Sequence, residues 1–280
     1  MLQWVKRWCN VLPLDEATAR LEAGTLPARA AAITFDDGYA DNHDMALPIL
    51  QRHGLSATFF IATGYLDGGR MFNDSVIEAV RHTTADQIDL QEFGLRPPSG
   101  AVSWPLGSAA ARAEVIAAIL GCIKYAAADQ RLPLAEKIAS RFGVTLPTDL
   151  MMSSDQVRAM RTAGMQIGAH THTHPILACL DKQAVRAEIL LGKNRLELLL
   201  DEPVTMFAYP NGRPSKDYVA DSVAAVRELG FSAAVTTAVG SADRASDPYQ
   251  LPRFTPWERR RTQFGLRLAA NLIGKPPVQL

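Results

Sequence analysis

An α/β fold built on a parallel sheet, either a barrel or a doubly wound sheet, is what this sequence predicts, and three observations carry the prediction. Short apolar runs recur at Ala30 to Phe35, Ala57 to Ala62, Met165 to Ala169, Val204 to Ala208 and Phe231 to Thr237. Stretches of helical period separate them, which is the rhythm of βα units. Polar clusters stand directly after three of the runs: Asp36-Asp37, His170 to His174, and Tyr209-Pro210-Asn211-Gly212. In a parallel βα architecture the carboxyl ends of the strands share one rim, and chemistry is built there.

The first run, Ala30-Ala31-Ala32-Ile33-Thr34-Phe35, is a buried strand stopped by Asp36-Asp37-Gly38. Only a short helical segment, Leu14 to Glu22, is expected before it, and Met1 need not be the natural start. A helix from Asp41 to Arg52 follows, with Met45, Leu47, Ile49 and Leu50 as its apolar positions and Gly54 as its stop. Ala57 to Ala62 is the second strand, and strand, helix and strand at this distance make a βαβ unit.

From Gly68 to Leu150 the rhythm breaks. A short helix (Asn73 to Arg81), a loop (Arg96 to Gly107) and Ala-rich helices at Ala109 to Ala127 and Leu134 to Phe142 are expected there. The stretch reads as a helical insertion (68–150) in a single domain spanning residues 1–280. Alternation then resumes with a helix at Ser153, where Gln156 three residues on forms a capping-box pattern and Gly164 closes the element. Strand Met165 to Ala169, helix Asp181 to Leu200, strand Val204 to Ala208, helix Lys216 to Leu229 and strand Phe231 to Thr237 complete the series.

With 48% hydrophobic and 21% charged residues, the 280-residue chain can bury a sizeable core. Lys+Arg and Asp+Glu both number 29, so no net field favours nucleic acid, and a neutral substrate fits better. Cys9, Cys122 and Cys179 lie far apart and form no CxxC pair, which suggests neither a zinc-thiolate site nor a disulfide framework. Met1 to Pro13 lacks a signal peptide's apolar stretch, so a cytoplasmic protein is expected.

One carboxylate and two imidazoles suffice to hold a divalent metal with a position left for water. Asp36 and Asp37 would point to opposite faces in extended backbone, so a turn at Gly38 lets one hold metal while the other faces substrate. Asp-Asp-Gly as mere turn chemistry would explain Gly38 but not two acids after a buried strand. His170 and His174 approach each other if their segment curls, whereas fully extended it would set His170, His172 and His174 on one face. The same donor types suit non-haem iron, so they fix neither the metal nor the reaction.

Thr34-Phe35-Asp36-Asp37-Gly38-Tyr39 resembles the first motif of the NodB-type polysaccharide deacetylases, and His170-Thr171-His172-Thr173-His174 resembles their H-[ST]-x-x-H motif. Phe207-Ala208-Tyr209-Pro210-Asn211-Gly212 is similar to their third motif, and the likeness continues to about residue 255. The resemblance implies a distorted (β/α) barrel. It also implies a metal, zinc or else cobalt, nickel or manganese, held by Asp37, His170 and His174, with Asp36 as general base and the Asn211 backbone N–H on the oxyanion. The implied reaction removes N-acetyl groups from an acetylated glycan. Tyr39, Tyr209 and Pro210 are expected beside the sugar, with packing against the barrel rim as the alternative for Tyr39, and His172 in a supporting role.

Two departures stand out. Ala208 occupies the place of an arginine that normally pairs with the base, and Leu251-Pro252-Arg253 stands where the family usually has Leu-x-His. Arg253 is therefore expected to replace the missing arginine, leaving the donor of the leaving-amine proton unassigned; a surface ion pair is the alternative for Arg253. These losses keep open a catalytically degenerate glycan-binding scaffold, and hydrolysis of another amide or an O-acetyl ester also remains open. Trp257, Trp104 and Tyr249 are candidates for stacking on sugar. Arg259-Arg260-Arg261 with Phe264, Leu266, Leu268 and Leu272 forms a basic amphipathic helix, expected to pack against the barrel rather than touch a membrane.

Overall fold

The structure, a computed structural model, describes residues 1–124, 128–258, 260–273 and 279–280. They fall into two compact units, Met1–Asp67 with Met151–Leu280, and Gly68–Leu150. Arg259 and residues 125–127, the end of the helix expected to reach Ala127, lie outside the described residues.

The first unit opens with α1 (Leu2–Trp8), β1 (Asn10–Val11) and α2 (Leu14–Ala23). Neither α1 nor β1 shows in the sequence pattern, because seven and two residues are too few to show a period. The apolar run from Ala30 divides. β2 (Ala30–Ala31) pairs in parallel with β1, whereas β3 (Thr34–Phe35) pairs in parallel with β4 (Thr58–Ile61). The single helix expected from Asp41 is instead a π-turn, Asn42–Ala46, followed by α3 (Leu47–His53). Pro48 explains the change: it donates no N–H and is tolerated only in the first turn of an α-helix, so α3 begins beside it. Gly54, at φ 59°, closes α3 in the left-handed conformation.

Residues 68–150 comprise α4 (Phe72–His82), β5 (Gln87–Asp89), β6 (Ser103–Pro105), α5 (Ala109–Ile123) and α6 (Ala128–Arg141). Part of the expected loop is thus a strand, with Ile88 opposite Trp104 in an antiparallel pair. Val76, Val80, Leu90, Val115, Ile119 and Ile138 form this unit's own core.

The first unit resumes with α7 (Ser154–Thr162), β7 (Gln166–Ala169), α8 (Lys182–Leu200), β8 (Met206–Ala208), α9 (Ala220–Glu228), β9 (Ala233–Val239), β10 (Leu251–Arg253) and α10 (Arg261–Ile273). Ser153 and Gln156 complete the capping box on α7. The helix expected from Lys216 begins only at Ala220, because Ser215 is left-handed (φ 63°) and Pro214 bridges to Tyr218. Phe264 anchors α10 by stacking on Trp8 of α1, and no described helix is long and apolar enough to cross a membrane.

Six strands form one parallel sheet in the order β3-β4-β7-β8-β9-β10. A doubly wound sheet reverses its strand order midway, and this one never does. Successive right-handed crossovers therefore land on the same face, and the sheet curls into a distorted (β/α) barrel. Alternation along the strands divides the core in two. Phe59, Ile61, Ile167, Ala169 and Phe207 pack with Leu50, Met160, Val185, Ile189 and Val226 of the helices. Phe60, Met206, Ala208, Ala233, Val235 and Leu251 turn to the other side, where they meet Leu14 of α2. Gly168 leaves space for Phe60, since a Cβ there would lie 2.5 Å from the phenyl ring.

Candidate metal centre

Strand parity delivers the site. Thr34 and Asp36 follow the inward side of β3, and Arg253 shares the parity of inward-facing Leu251 on β10. These strands are the two edges of the sheet, yet the Arg253 guanidinium donates to both Asp36 carboxylate oxygens at 2.7 Å and to Thr34 Oγ1 at 3.2 Å. Its Nε–H donates to the Thr236 carbonyl at 2.7 Å, which fixes the guanidinium plane. A two-point arginine–carboxylate fork thus spans the edges the backbone leaves unpaired. Burial pushes the Asp36 carboxyl up, and the charge and hydrogen bonds of Arg253 outweigh it, holding the carboxyl below the usual range.

Asp37 leaves the strand. Its φ of 75° and that of Gly38, 88°, swing its carboxylate away from the direction an extended residue would take. Its carbonyl accepts from Ala62 N–H at 3.2 Å and the Gly38 carbonyl from Met152 N–H at 2.9 Å, so the turn is tied on both sides. The carboxylate meets His170 Nε2 at 3.3 Å and His174 Nε2 at 3.2 Å. One donor atom from each of the three residues lies within 4.8 Å of the others. Burial works to raise Asp37, but the hydrogen bonds and charge of the two imidazoles override it and leave its carboxyl far below the ordinary range.

His170 is buried at the end of β7, and its Nδ1 lies 2.7 Å from the Ala208 carbonyl of β8. A carbonyl only accepts, so Nδ1 carries a proton, which leaves Nε2, facing Asp37, as the nitrogen a cation would take. The curl that brings His174 beside it runs through two left-handed residues, Thr171 (φ 64°) and His174 itself (φ 53°). Thr171 Oγ1 holds the curl by accepting the His174 N–H at 3.1 Å.

His172 stands apart from this group. Its Nδ1 meets Thr63 Oγ1 at 2.9 Å, and burial lowers its pKa. The rest of the loop is seated from outside: Glu188 accepts from the His172 and Thr173 N–H groups, Gly64 N–H donates to the His172 carbonyl, and Tyr65 Oη–H donates to the Thr173 carbonyl. None of these supports was singled out from the sequence. Gly192 was the signal available, since glycine inside a helix costs about 1 kcal/mol and marks a close approach.

Asn211 follows β8 with φ 60°, and its carbonyl accepts from Thr237 Oγ1 at 2.6 Å. Gly212 must be glycine, at φ 69° with a Cβ only 2.8 Å from Thr237 N. Tyr209 corrects an expectation. It shares the outward parity of Phe207, is fully buried, stacks on Tyr218 at 4.0 Å and donates its hydroxyl to the Tyr249 carbonyl, so its side chain is core and cannot touch sugar. Pro210 is likewise buried. Tyr39 is half-buried, bridged through its backbone to Met151. Of the aromatic candidates, Trp257 is exposed, Trp104 packs in the core of residues 68–150, and Tyr249 lies under the Arg227 guanidinium.

The three donors suit a first-row divalent ion: a carboxylate that stays ionised and two imidazoles, one with its free nitrogen set by a backbone carbonyl.

Comparison with known proteins agrees with the geometry. The family model for polysaccharide deacetylase matches residues 23–91 and 130–234. YxkH of Bacillus subtilis (strain 168), a protein carrying that family's name, is 21% identical over 245 residues, covering 87% of this chain and 58% of its own. The chain thus spans little more than half of that relative's length. Among solved structures, the Streptococcus pyogenes deacetylase PplD in complex with acetate superposes with a TM-score of 0.60 at 21% identity, covering 95% of this chain and 82% of that one. IcaB from Ammonifex degensii gives 0.60 at 16% identity, covering 96% and 84%. These two share the fold, and the family model extends across both segments that bear the Asp and His clusters: the chain belongs to the polysaccharide deacetylase family.

Proposed function

We propose that this chain is a metal-dependent hydrolase that removes N-acetyl groups from the sugars of an acetylated glycan, acting as one catalytic domain with residues 68–150 as its helical insertion. The observation that carries the reading is the convergence of Asp37, His170 and His174 within 4.8 Å, next to a carboxylate that an arginine holds ionised. Asp37, His170 and His174 hold the metal, zinc or a related first-row ion. A divalent ion in such a site would supply Lewis acidity and lower the pKa of bound water towards about 7.

The chain's own groups do the rest. Asp36 accepts the proton of the attacking water, and Arg253 keeps it unprotonated and oriented by taking both oxygens. The Asn211 backbone N–H donates to the oxyanion, and the left-handed Asn211-Gly212 turn sets its direction. The C–N bond then breaks as the departing nitrogen takes up a proton, which the protonated Asp36 or solvent supplies, and acetate and a free amine leave. PplD, a deacetylase whose structure holds acetate, shares this fold and is consistent with the reading.

The test measures the metal content of purified protein beside Asp37→Ala, then acetate release from N-acetylglucosamine oligomers. One metal per chain, lost in the variant, and acetate release abolished by chelator and restored by metal are expected. Equal metal in both proteins, or a metal-loaded protein inert on every acetylated substrate, overturns the proposal.

A further inference from the structure

Helix α8 lies behind the histidine loop, and two of its residues one turn apart face it. Glu188 accepts three hydrogen bonds from the loop: His172 N–H to Oε2 at 3.1 Å, Thr173 N–H to Oε2 at 2.8 Å, and Thr173 Oγ–H to Oε1 at 2.7 Å. At i+4, Gly192 removes the side chain that would keep the loop away. A Cβ there would lie 2.5 Å from the Thr171 carbonyl oxygen and 3.1 Å from His172 N. The opposite flank is closed as tightly, since a Cβ on Gly64 would meet the His172 carbonyl at 2.8 Å.

This seat bears on a backbone that does not favour its own shape. Thr171 and His174 are left-handed, and neither β-branched threonine nor histidine adopts that region without about 1 kcal/mol or more of cost. Without the curl, His170 and His174 would not both reach Asp37. The hydrogen bonds of Glu188 fall on the residues between the two histidines, where they fix the curl without touching either ring.

We propose that Glu188 and Gly192 form a helix-borne seat that preorganises the histidine loop, making Glu188 a positioning residue for the metal ligands His170 and His174. The inference rests on the metal-site reading above. Glu188 acts through the backbone of residues 172 and 173 and the Thr173 hydroxyl. Its effect therefore appears in metal affinity first.

Cobalt(II), whose visible absorption reports both binding and ligand geometry, is titrated into metal-free wild type, Glu188→Gln and Gly192→Ala, each checked for folding by circular dichroism and thermal melting. Wild type is expected to take up one cobalt with an absorption spectrum of low coordination number. Glu188→Gln keeps the size of the side chain but replaces one acceptor oxygen with a donor. It is expected to bind cobalt about 10- to 100-fold more weakly, the usual penalty for losing an outer-shell partner, with an altered spectrum. Gly192→Ala, which pushes the same loop by sterics alone, should weaken binding in the same direction. A lower melting temperature in both variants with unchanged cobalt affinity and spectrum would make α8 a merely structural prop and overturn the inference while leaving the metal site standing. No cobalt uptake by wild type overturns the metal reading and this inference together.

Discussion

At the carboxyl ends of the sheet strands, polar side chains find partners in other βα units. Arg253 of β10 takes Thr34 and Asp36 from the opposite edge of the sheet, His170 after β7 meets a carbonyl of β8, and Thr63 after β4 meets His172. Within residues 68–150, polar bonds close helix ends. Ser108 caps α5, and Arg112 donates to the carbonyls of Val80, Arg81 and Thr83 at the end of α4. Arg141 and Glu92 meet in the open, each side chain about half exposed or more. The difference lies in what water can replace. A helix-end carbonyl stripped of its arginine is rehydrated, whereas Asp36 without Arg253 keeps its charge in a confined place.

Asp37→Ala should make the contrast sharpest. It removes the carboxylate that the His170 and His174 imidazoles both face, and acetate release should fall at least about 10³-fold with metal lost from the purified protein. An acetate assay with atomic absorption on the same sample checks it. Retained activity would mean that the rim holds no metal chemistry.

Arg253→Ala comes next. A fully buried ion pair broken on one side costs about 3–5 kcal/mol, and the Asp36 side chain keeps 27% exposure, so a loss nearer the lower bound is expected in denaturant melts at pH 7. The sign of its pH dependence follows from the depressed Asp36 carboxyl. Its folded pKa lies below the ordinary 3.8, so the stabilisation is complete above about pH 4 and is lost as pH falls through the folded value. The gap between wild type and Arg253→Ala should therefore narrow below pH 4. In the variant the guanidinium no longer opposes the effect of burial on Asp36, so the acidic limb of the acetate-release profile should move to higher pH. A gap that stays constant with pH would show that Arg253 contributes packing and not charge.

The rim was legible in the sequence because its residue types are rare and stand directly after apolar runs: Asp36-Asp37 after β3 and three histidines after β7. What could not be read were groups whose role depends on distant backbone. Glu188 looks like any helical glutamate until the loop's left-handed turn is known, and Tyr209 looks like a rim residue until its parity with Phe207 is seen. The fold was read in its repeating units and missed where elements are too short to have a period: β1, β10 and the strands of residues 68–150. The break of the Ala30 to Phe35 run into two sheets was likewise invisible, because no glycine, proline or charged residue interrupts the run where its pairing partner changes.

Arg112→Ala tests the other side of the contrast. Three carbonyls of one helix end lose a charged donor and turn to water, so a cost of about 1–2 kcal/mol in thermal or denaturant unfolding is expected, with metal affinity unchanged. Weakened metal binding in this variant would couple the two regions and erase the distinction drawn between them.

The smallest effect belongs to Arg141 and Glu92, and it is the most direct comparison, because the same two chemical groups occur at Arg253 and Asp36. Arg141 Nε lies 3.0 Å from Glu92 Oε2, a distance no worse than that of many buried pairs. Distance does not set the energy. The side chains are 61% and 47% exposed, water screens their attraction, and holding two long side chains together costs rotamer entropy. A double-mutant cycle with Arg141→Ala and Glu92→Ala should give a coupling of about 0.5 kcal/mol or less that fades with added salt. The parallel cycle on Arg253 and Asp36 should give several times more and resist salt better, because a two-point fork whose side chains are only 15% and 27% exposed meets far less solvent competition. Equal couplings in the two cycles would mean that confinement contributes nothing at the rim, and Arg253 would then be one more surface arginine.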